Sequence, residues 1–317
     1  MDAAESYAGM RSVTIDGRAV RINGASVFQR LVLDQGYYPD GILTAPTDAA
    51  LIEDIQLSID AGFNGARLHQ KVFEERFLYH ADRMGYLVWG EFGDWGIDRD
   101  DPRAGYITEW LEVLERDYSH PSIVGWCPLN ESAQPRPEGI EGLDDLTRGL
   151  FLATKAMDQS RPVLDTSAYS HRVPESDIYD SHDATQDPEK FAENHAGTAE
   201  GDVYTNGPDD RPWSVPYAGQ PYFVSEFGGI RWNPSEGSSN ASWGYGREPA
   251  DIEEFYTRFD RLCQILLEDE SMFAYCYIQL TDVFQEQNGV YFFDRSEKFD
   301  MARIRASQQR KAAIERD

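Results

Sequence analysis

The feature that most constrains this chain is a repeating unit: a short β-branched or aromatic run, a polar loop, then a stretch of helical periodicity. Eight such runs are predicted strands, at residues 27–34, 62–68, 86–91, 123–130, 162–167, 178–182, 221–226 and 273–280. Helical periodicity occupies 48–61, 75–84, 107–118, 143–158 and 252–268. Strands that alternate with helices form a parallel sheet, and eight of them predict closure into an α/β fold, a (β/α)₈ TIM barrel. Asp48 is the expected N-cap of the first helix, and Gly62 and Gly85 stand where a left-handed stop suits a helix end. Ahead of the barrel, residues 11–23 alternate apolar and polar side chains around Asp16-Gly17, which predicts a β-hairpin with a tight primed turn. The expected organisation is therefore a capping segment over 1–24 and a barrel over 25–317.

Composition narrows the partners. The chain has 317 residues, 41% hydrophobic and 13% aromatic, enough to fill a large core. Its 29 basic and 56 acidic side chains give a net charge of −27, which repels nucleic-acid phosphates and anionic membranes. Neither is an expected partner. Cys127, Cys263 and Cys276 are too few and too scattered for a disulfide framework, and each lies in an apolar run that predicts a buried thiol. No signal-peptide core or long uncharged apolar stretch is present, so the expected location is cytoplasmic.

In barrels of this kind the reactive groups sit where strands end at the C-terminal rim. Asp34, Glu91, Asn130-Glu131, His182 and Glu226 all fall at such ends. A barrel built only for stability has no need of converging carboxylates. Two runs stand out: IVGWCPLNE, ending at Glu131, and PYFVSE, ending at Glu226 ahead of a Gly pair. They belong to the fourth and seventh strands, so their rim residues face each other across the barrel mouth. A retaining glycosidase needs two carboxyls roughly 5–5.5 Å apart, one to protonate the leaving oxygen and one to attack the anomeric carbon. Long loops at 183–220 and 230–249, the second with Trp232, Trp243 and Tyr245, are expected to carry function at the same rim.

Five stretches in order resemble the catalytic barrel of glycoside hydrolase family 2, which includes many β-galactosidases, β-mannosidases and β-glucuronidases. They are YAGMRSV from Tyr7, DAGFNGAR ending at Arg67, HPSIVGW with LNE ending at Glu131, SEFG around Glu226, and QLTD through Gln287-Asn288-Gly289. The resemblance implies Glu131 as acid/base and Glu226 as nucleophile, with Asn130 hydrogen-bonding the sugar 2-hydroxyl. It further implies that Arg67 keeps Glu226 ionised, and that burial and the charge of Glu226 raise the pKa of Glu131. Asp34, Gln35, Glu91 and His182 are expected hydroxyl partners, with a structural role for His182 an equal alternative. Trp95, Trp213 and Trp232 are candidates to stack on the sugar, whereas Trp126 inside a strand is expected to pack in the core. Many relatives have an aromatic residue where this chain has Gln279, so Asp282, Gln285 and Glu286 are expected to supply polar contacts there.

Family members carry β-sandwich domains ahead of the barrel, and this sequence starts near that junction, either as an excised module or as a minimal enzyme. The Asn-x-Lys triplet associated with glucuronate recognition is absent from the sequence. The expected activity is retaining, exo-acting hydrolysis of a β-glycoside, with β-galactoside as the leading substrate. A β-mannosidase, a galactofuranosidase and a non-catalytic sugar-binding barrel are the alternatives. No cofactor or metal is expected: His69, His80, His120, His171, His182 and His195 show no His-x-His spacing of the metal-dependent barrel hydrolases.

Overall fold

The computed structural model of the chain describes residues 3, 5–93, 104–132, 142–207, 212–234 and 242–316. An antiparallel sheet of β1 (Val13–Asp16), β2 (Ala19–Ile22) and β3 (Ala25–Ser26) comes first, in the order β1-β2-β3. The barrel follows: β4 (Gln29–Asp34), α1 (Asp48–Asp60), β5 (Gly65–Leu68), α2 (Glu75–Met84), β6 (Leu87–Glu91), α3 (Ala104–Asp117), β7 (Ile123–Cys127) and α4 (Gly142–Met157). It continues with β8 (Tyr179–Asp183), α5 (Pro188–His195), β9 (Tyr222–Gly228), α6 (Ile252–Glu268), β10 (Met272–Ile278) and α7 (Met301–Gln308). The barrel strands are all parallel and run in the order β7-β6-β5-β4-β10-β9-β8.

The α/β barrel fold expected from the alternation is therefore present, with one correction. Seven strands form the sheet, and the predicted strand at 162–167 is reduced to two isolated bridges, Trp126 with Val163 and Asn130 with Ser167. Backbone bonds hold this segment to the β7 side, from Trp126 N to the Pro162 carbonyl (3.1 Å), Leu164 N to Trp126 (2.9 Å), Ser167 N to Leu129 (2.8 Å) and Glu131 N to Ser167 (2.9 Å), whereas side chains carry much of the join towards β8. Asp165 accepts from the amides of Arg172 (2.8 Å) and Val173 (3.0 Å) and lies 2.8 Å from Nδ1 of His171. From β8, Asp180 accepts from the Ala168 amide at 2.8 Å and from the Ser167 hydroxyl at 3.0 Å. Next to β8, the Asp180 carboxylate thus does what ladder bonds do elsewhere. The ring closes between β7 and β8 through backbone bonds on one side and a buried carboxylate on the other.

Local signals explain most element ends. Helix α1 is capped by Thr47, whose hydroxyl accepts from the Ala50 amide at 3.2 Å; Asp48, the expected cap, is the first helical residue. Gly85 closes α2 at φ 69°. The hairpin turn is Gly17-Arg18, one residue later than expected, because Asp16 pairs with Ala19 and Gly17 takes the positive φ of the first turn position. Helix α5 lies inside the segment expected to be loop; Pro188 opens it and Asp187 caps it, accepting from the amides of Glu189 and Lys190.

Inside the barrel, Trp89 stacks on Phe223 at 5.5 Å and Phe223 meets Phe273 at 5.1 Å. Trp89 Nε1 donates to Gln29 at 2.8 Å, so a buried indole leaves no unpaired polar atom. Gly125 faces this ring; a Cβ there would lie 2.6 Å from it. Trp126 points the other way, edge-on to Trp110 of α3, with its Nε1 donating to Asp158 at 2.8 Å. It is core, as expected. The three cysteines are buried free thiols. The hairpin covers the N-terminal end of the strands: Arg18 donates to the Ser271 hydroxyl (2.6 Å) just before β10 and to the Thr198 carbonyl (2.9 Å). No helix among the described residues is long and apolar enough to cross a membrane.

Because Asp165 ties residues 171–173 to the fifth segment, Asp165→Ala should cost about 3–5 kcal/mol, the range for removing one partner of a buried ionic pair. The measurement is the denaturant midpoint by far-ultraviolet circular dichroism; a loss below 1 kcal/mol would show that the segment needs no such tie.

Candidate active site

The C-terminal rim is organised around Arg67, the third residue of β5, which is 1% exposed. Its Nε donates to Glu91 at the end of β6 (2.5 Å) and its Nη2 to Oδ1 of Asn130 beyond β7 (3.2 Å). Nη1 reaches the Ser225 carbonyl (2.6 Å) and Oε1 of Glu226 (3.3 Å) on β9. One planar fork thereby ties three other strand ends together, a task a lysine ammonium could not perform. Burial raises the Glu91 carboxyl, but Arg67 and His69 outweigh it and hold the group below the usual range.

Glu131 and Glu226 meet across the mouth, with His182 at the end of β8 between them. Nδ1 of His182 is 2.8 Å from Oε1 of Glu131 and 3.4 Å from Oε2 of Glu226. Donor atoms of the three side chains all lie within 4.8 Å of one another, a set that could also surround a metal ion. Glu131 holds a positive φ of 50°, as do Ala168 (58°) and Tyr169 (54°) after the fifth segment. Such conformations are costly for non-glycine residues and cluster at functional sites.

The electrostatics depart from expectation at one point. Burial raises the Glu131 carboxyl, but the hydrogen bond from His182 and the charges of His182, His69 and Arg67 leave it below its usual value. The expected upward shift is reversed because an imidazole stands beside the acid. For His182, burial lowers the pKa, yet the charge of Glu226 and the hydrogen bond and charge of Glu131 raise it overall.

These groups line a cavity of about 340 Å³, shared with Tyr169, Tyr204, Asn206 and Tyr245. Glu286 approaches from beyond β10, accepting from Gln35 (3.1 Å) and Asn288 (3.2 Å), while Gln35 also donates to Gln279 at 2.7 Å. Burial and the charge of Glu226 raise the Glu286 carboxyl despite those hydrogen bonds. Gln279, where an aromatic ring was missing, is thus the anchor of a buried amide network.

Four expected residues, Asp34, Asp282, Trp232 and Trp213, lie elsewhere. Asp34 points outward from β4, because Gln29 faces the interior and side chains alternate. Its carboxylate accepts from the Gly36 amide at 2.8 Å, and burial together with the charge of Asp54 raises its pKa. Asp282 is paired with buried Lys298 at 2.7 Å and accepts from the Gly289 amide at 2.9 Å, fixing the loop after β10. Trp232 is partly buried, its amide bonded to the Gln287 carbonyl at 3.2 Å, and is not among the residues that line the cavity. Trp213 lines a neighbouring cavity of about 320 Å³ and sits 5.9 Å from Tyr169. Trp95 falls outside the described residues.

Tyr245, expected only as part of a functional rim loop, lines the cavity, whereas sequence reading missed His69, Tyr169, Tyr204 and Asn206. His69 was within reach, since it follows Arg67 by two on the same face and lies 3.5 Å from Glu91 and 3.8 Å from Glu226. The others come from loops, where no periodicity marks the inward face.

No family model matches the chain. Curated relatives do: a β-galactosidase of Vibrio cholerae is 26% identical over 164 residues, 49% of this chain and 15% of the relative. A β-glucuronidase of Streptococcus agalactiae is 25% identical over 185 residues, 51% of this chain and 29% of the relative. Among solved structures, a family 2 β-galacturonidase of Eisenbergiella tayi bound to galacturonate superposes with a TM-score of 0.75 at 17% identity, over 96% of this chain and 55% of that one. A β-glucuronidase of Ruminococcus gnavus bound to D-glucuronic acid gives 0.74 at 17% identity, over 95% and 52%. The chain therefore spans about half the length of these solved neighbours and less of the curated relatives.

The outward position of Asp34 has a measurable consequence. The folded state keeps its proton up to about pH 7, whereas an unfolded aspartate loses it near pH 4. Between those values the native state binds more protons, so this group lowers stability as pH rises. Asp34→Asn should therefore gain thermal stability over wild type progressively from about pH 4 to pH 7 and hold a constant margin above. Melting temperatures across that range test it; a margin that shrinks with pH would contradict the placement.

The motif resemblance is thus met by curated relatives and solved structures alike, and the fold is that of the catalytic barrel of glycoside hydrolase family 2.

Proposed function

We propose that this barrel hydrolyses β-glycosides with retention, through a covalent glycosyl-enzyme. The observation that carries the reading is the approach of Glu131 and Glu226, with carboxylate oxygens within 4.8 Å of each other, both lining one cavity. Inverting enzymes separate their carboxyls by roughly 6.5–9.5 Å to admit a water, so this spacing favours direct attack. Glu226, oriented by Arg67, attacks the anomeric carbon while Glu131 gives a proton to the departing oxygen. In the second half Glu131 takes a proton from water, which displaces Glu226. Asn130, bridged to Arg67, is positioned to bond a hydroxyl beside the reacting carbon. A cavity of this size suits one terminal sugar, which supports exo action.

For the sugar we infer a neutral hexoside, with β-galactoside first. Curated relatives of this chain include several β-galactosidases. Solved neighbours include uronidases, but the Asn-x-Lys triplet is absent here, and Glu131, Asp183 and Glu226 make the cavity lining rich in carboxylates. That balance disfavours an anionic sugar. A carbohydrate is the proposed partner.

A panel of nitrophenyl β-glycosides tests this. Wild type should release product with the β configuration first formed, seen by proton NMR. Glu131→Gln should lose about 10²–10⁴-fold in kcat, the usual worth of a general acid, and Glu226→Gln at least as much. Turnover in Glu226→Gln equal to wild type would remove the nucleophile assignment; binding without hydrolysis by wild type on every sugar would favour a sugar-binding barrel.

A further inference from the structure

We propose, on the glycosidase reading above, that His182 is the proton store of the acid/base: its imidazole carries at Nδ1 the proton that Glu131 delivers, and takes it back later. The geometry supports this from both ring nitrogens. Ser167 Oγ donates to Asp180 at 3.0 Å, so its lone pair is what faces Nε2 of His182, also 3.0 Å away. Nε2 therefore keeps its hydrogen, and Nδ1 is the nitrogen whose proton can move. Asp180 is itself held by the Ala168 amide (2.8 Å) and lies 3.1 Å from His171, which fixes the ring from behind.

Among the described residues, Nδ1 then faces two carboxylates. Glu131 presents Oε1 at 2.8 Å from the segment after β7, and Glu226 presents Oε2 at 3.4 Å from β9. The remaining charged or titratable neighbours are Arg67 from β5, His69 beside Glu226, Tyr169 from the fifth segment and Asp180 on its own strand. The directions agree: the imidazole is raised and the Glu131 carboxyl lowered, so the resting pair holds its proton on nitrogen.

The steps balance. In the first half the proton passes from Nδ1 to Glu131 and on to the glycosidic oxygen as its bond to the anomeric carbon breaks. The Glu226 oxygen bonds to that carbon and His182 is left neutral. In the second half water adds to the carbon and the Glu226 bond breaks. The proton of that water goes to Glu131 and returns to Nδ1. Glycoside and water become sugar and alcohol, with the store refilled. His182 is thus a positioning residue that acts through Glu131.

Two readouts test it. Imidazole titration by NMR on the full chain, with the His182 signal identified by its loss in His182→Asn, needs no substrate. The midpoint should lie above the ordinary value of about 6.5 and fall in Glu131→Gln. A midpoint at or below the ordinary value, or one unmoved by Glu131→Gln, overturns the proposal. With an active wild type, His182→Asn should lose about 10²-fold on alkyl β-glycosides, which need a proton, and under about tenfold on dinitrophenyl glycosides, which do not. The alkaline limb of kcat/KM should also move to lower pH. Equal losses on both leaving groups with an unmoved limb mean a merely structural histidine. A wild type that turns over no β-glycoside overturns the glycosidase reading and leaves the NMR result to decide the protonation of His182.

Discussion

The guanidinium of Arg67 is the contact on which the rim depends. A buried cation is stable only if its donors are met, and here they are met by Glu91, Asn130, the Ser225 carbonyl and Glu226. Those groups come from β6, the segment after β7, and β9. Their convergence is thus enforced by the need to solvate one charge. Below lies the apolar layer of Trp89, Phe223 and Phe273, which admits no water to replace them. The low dielectric strengthens each bond and makes a misplaced strand end expensive. A rigid site follows from electrostatics above and packing beneath.

The fifth position of the barrel carries the second constraint. Its backbone is bonded to the β7 side, while side chains carry the join to β8 at residues 167 and 168. The same Asp180 that anchors the Ala168 amide also receives the Ser167 hydroxyl, and Ser167 faces the ring of His182. Structural closure and orientation of the imidazole are therefore one network. Replacing Ser167 with an apolar residue would leave the backbone bonds to the β7 side in place and cut the histidine loose.

Much of this was legible beforehand because periodicity and strand-end position are local signals. The βα alternation was enough to expect the barrel, and the strand ends of Glu131 and Glu226 followed from their apolar runs, whereas Arg67 came only from the family resemblance. Asp34 was misread because strand-end position says nothing about which face a residue takes; the bond from Trp89 to Gln29 assigns the parity of β4. The fifth strand is shorter than expected because its backbone pairs only in part with the β7 side and a carboxylate of β8 meets Ser167 and Ala168, a substitution that composition hides. His182 was noticed as a rim residue, but its place between two carboxylates depends on a φ of 50° at Glu131 and on a bulge in the β8–β9 register. Neither has a sequence signature.

That last point bears on how an acid can work while ionised at rest. A carboxyl buried beside another carboxylate gains a proton by having its own pKa raised, as in the expectation for Glu131. An imidazole 2.8 Å away offers a second solution, in which the acid stays charged and the proton waits on nitrogen. The cation then also neutralises part of the repulsion between Glu131 and Glu226, allowing them to approach more closely than two bare carboxylates would. Closeness of the pair and storage of the proton thus have a common cause in one ring.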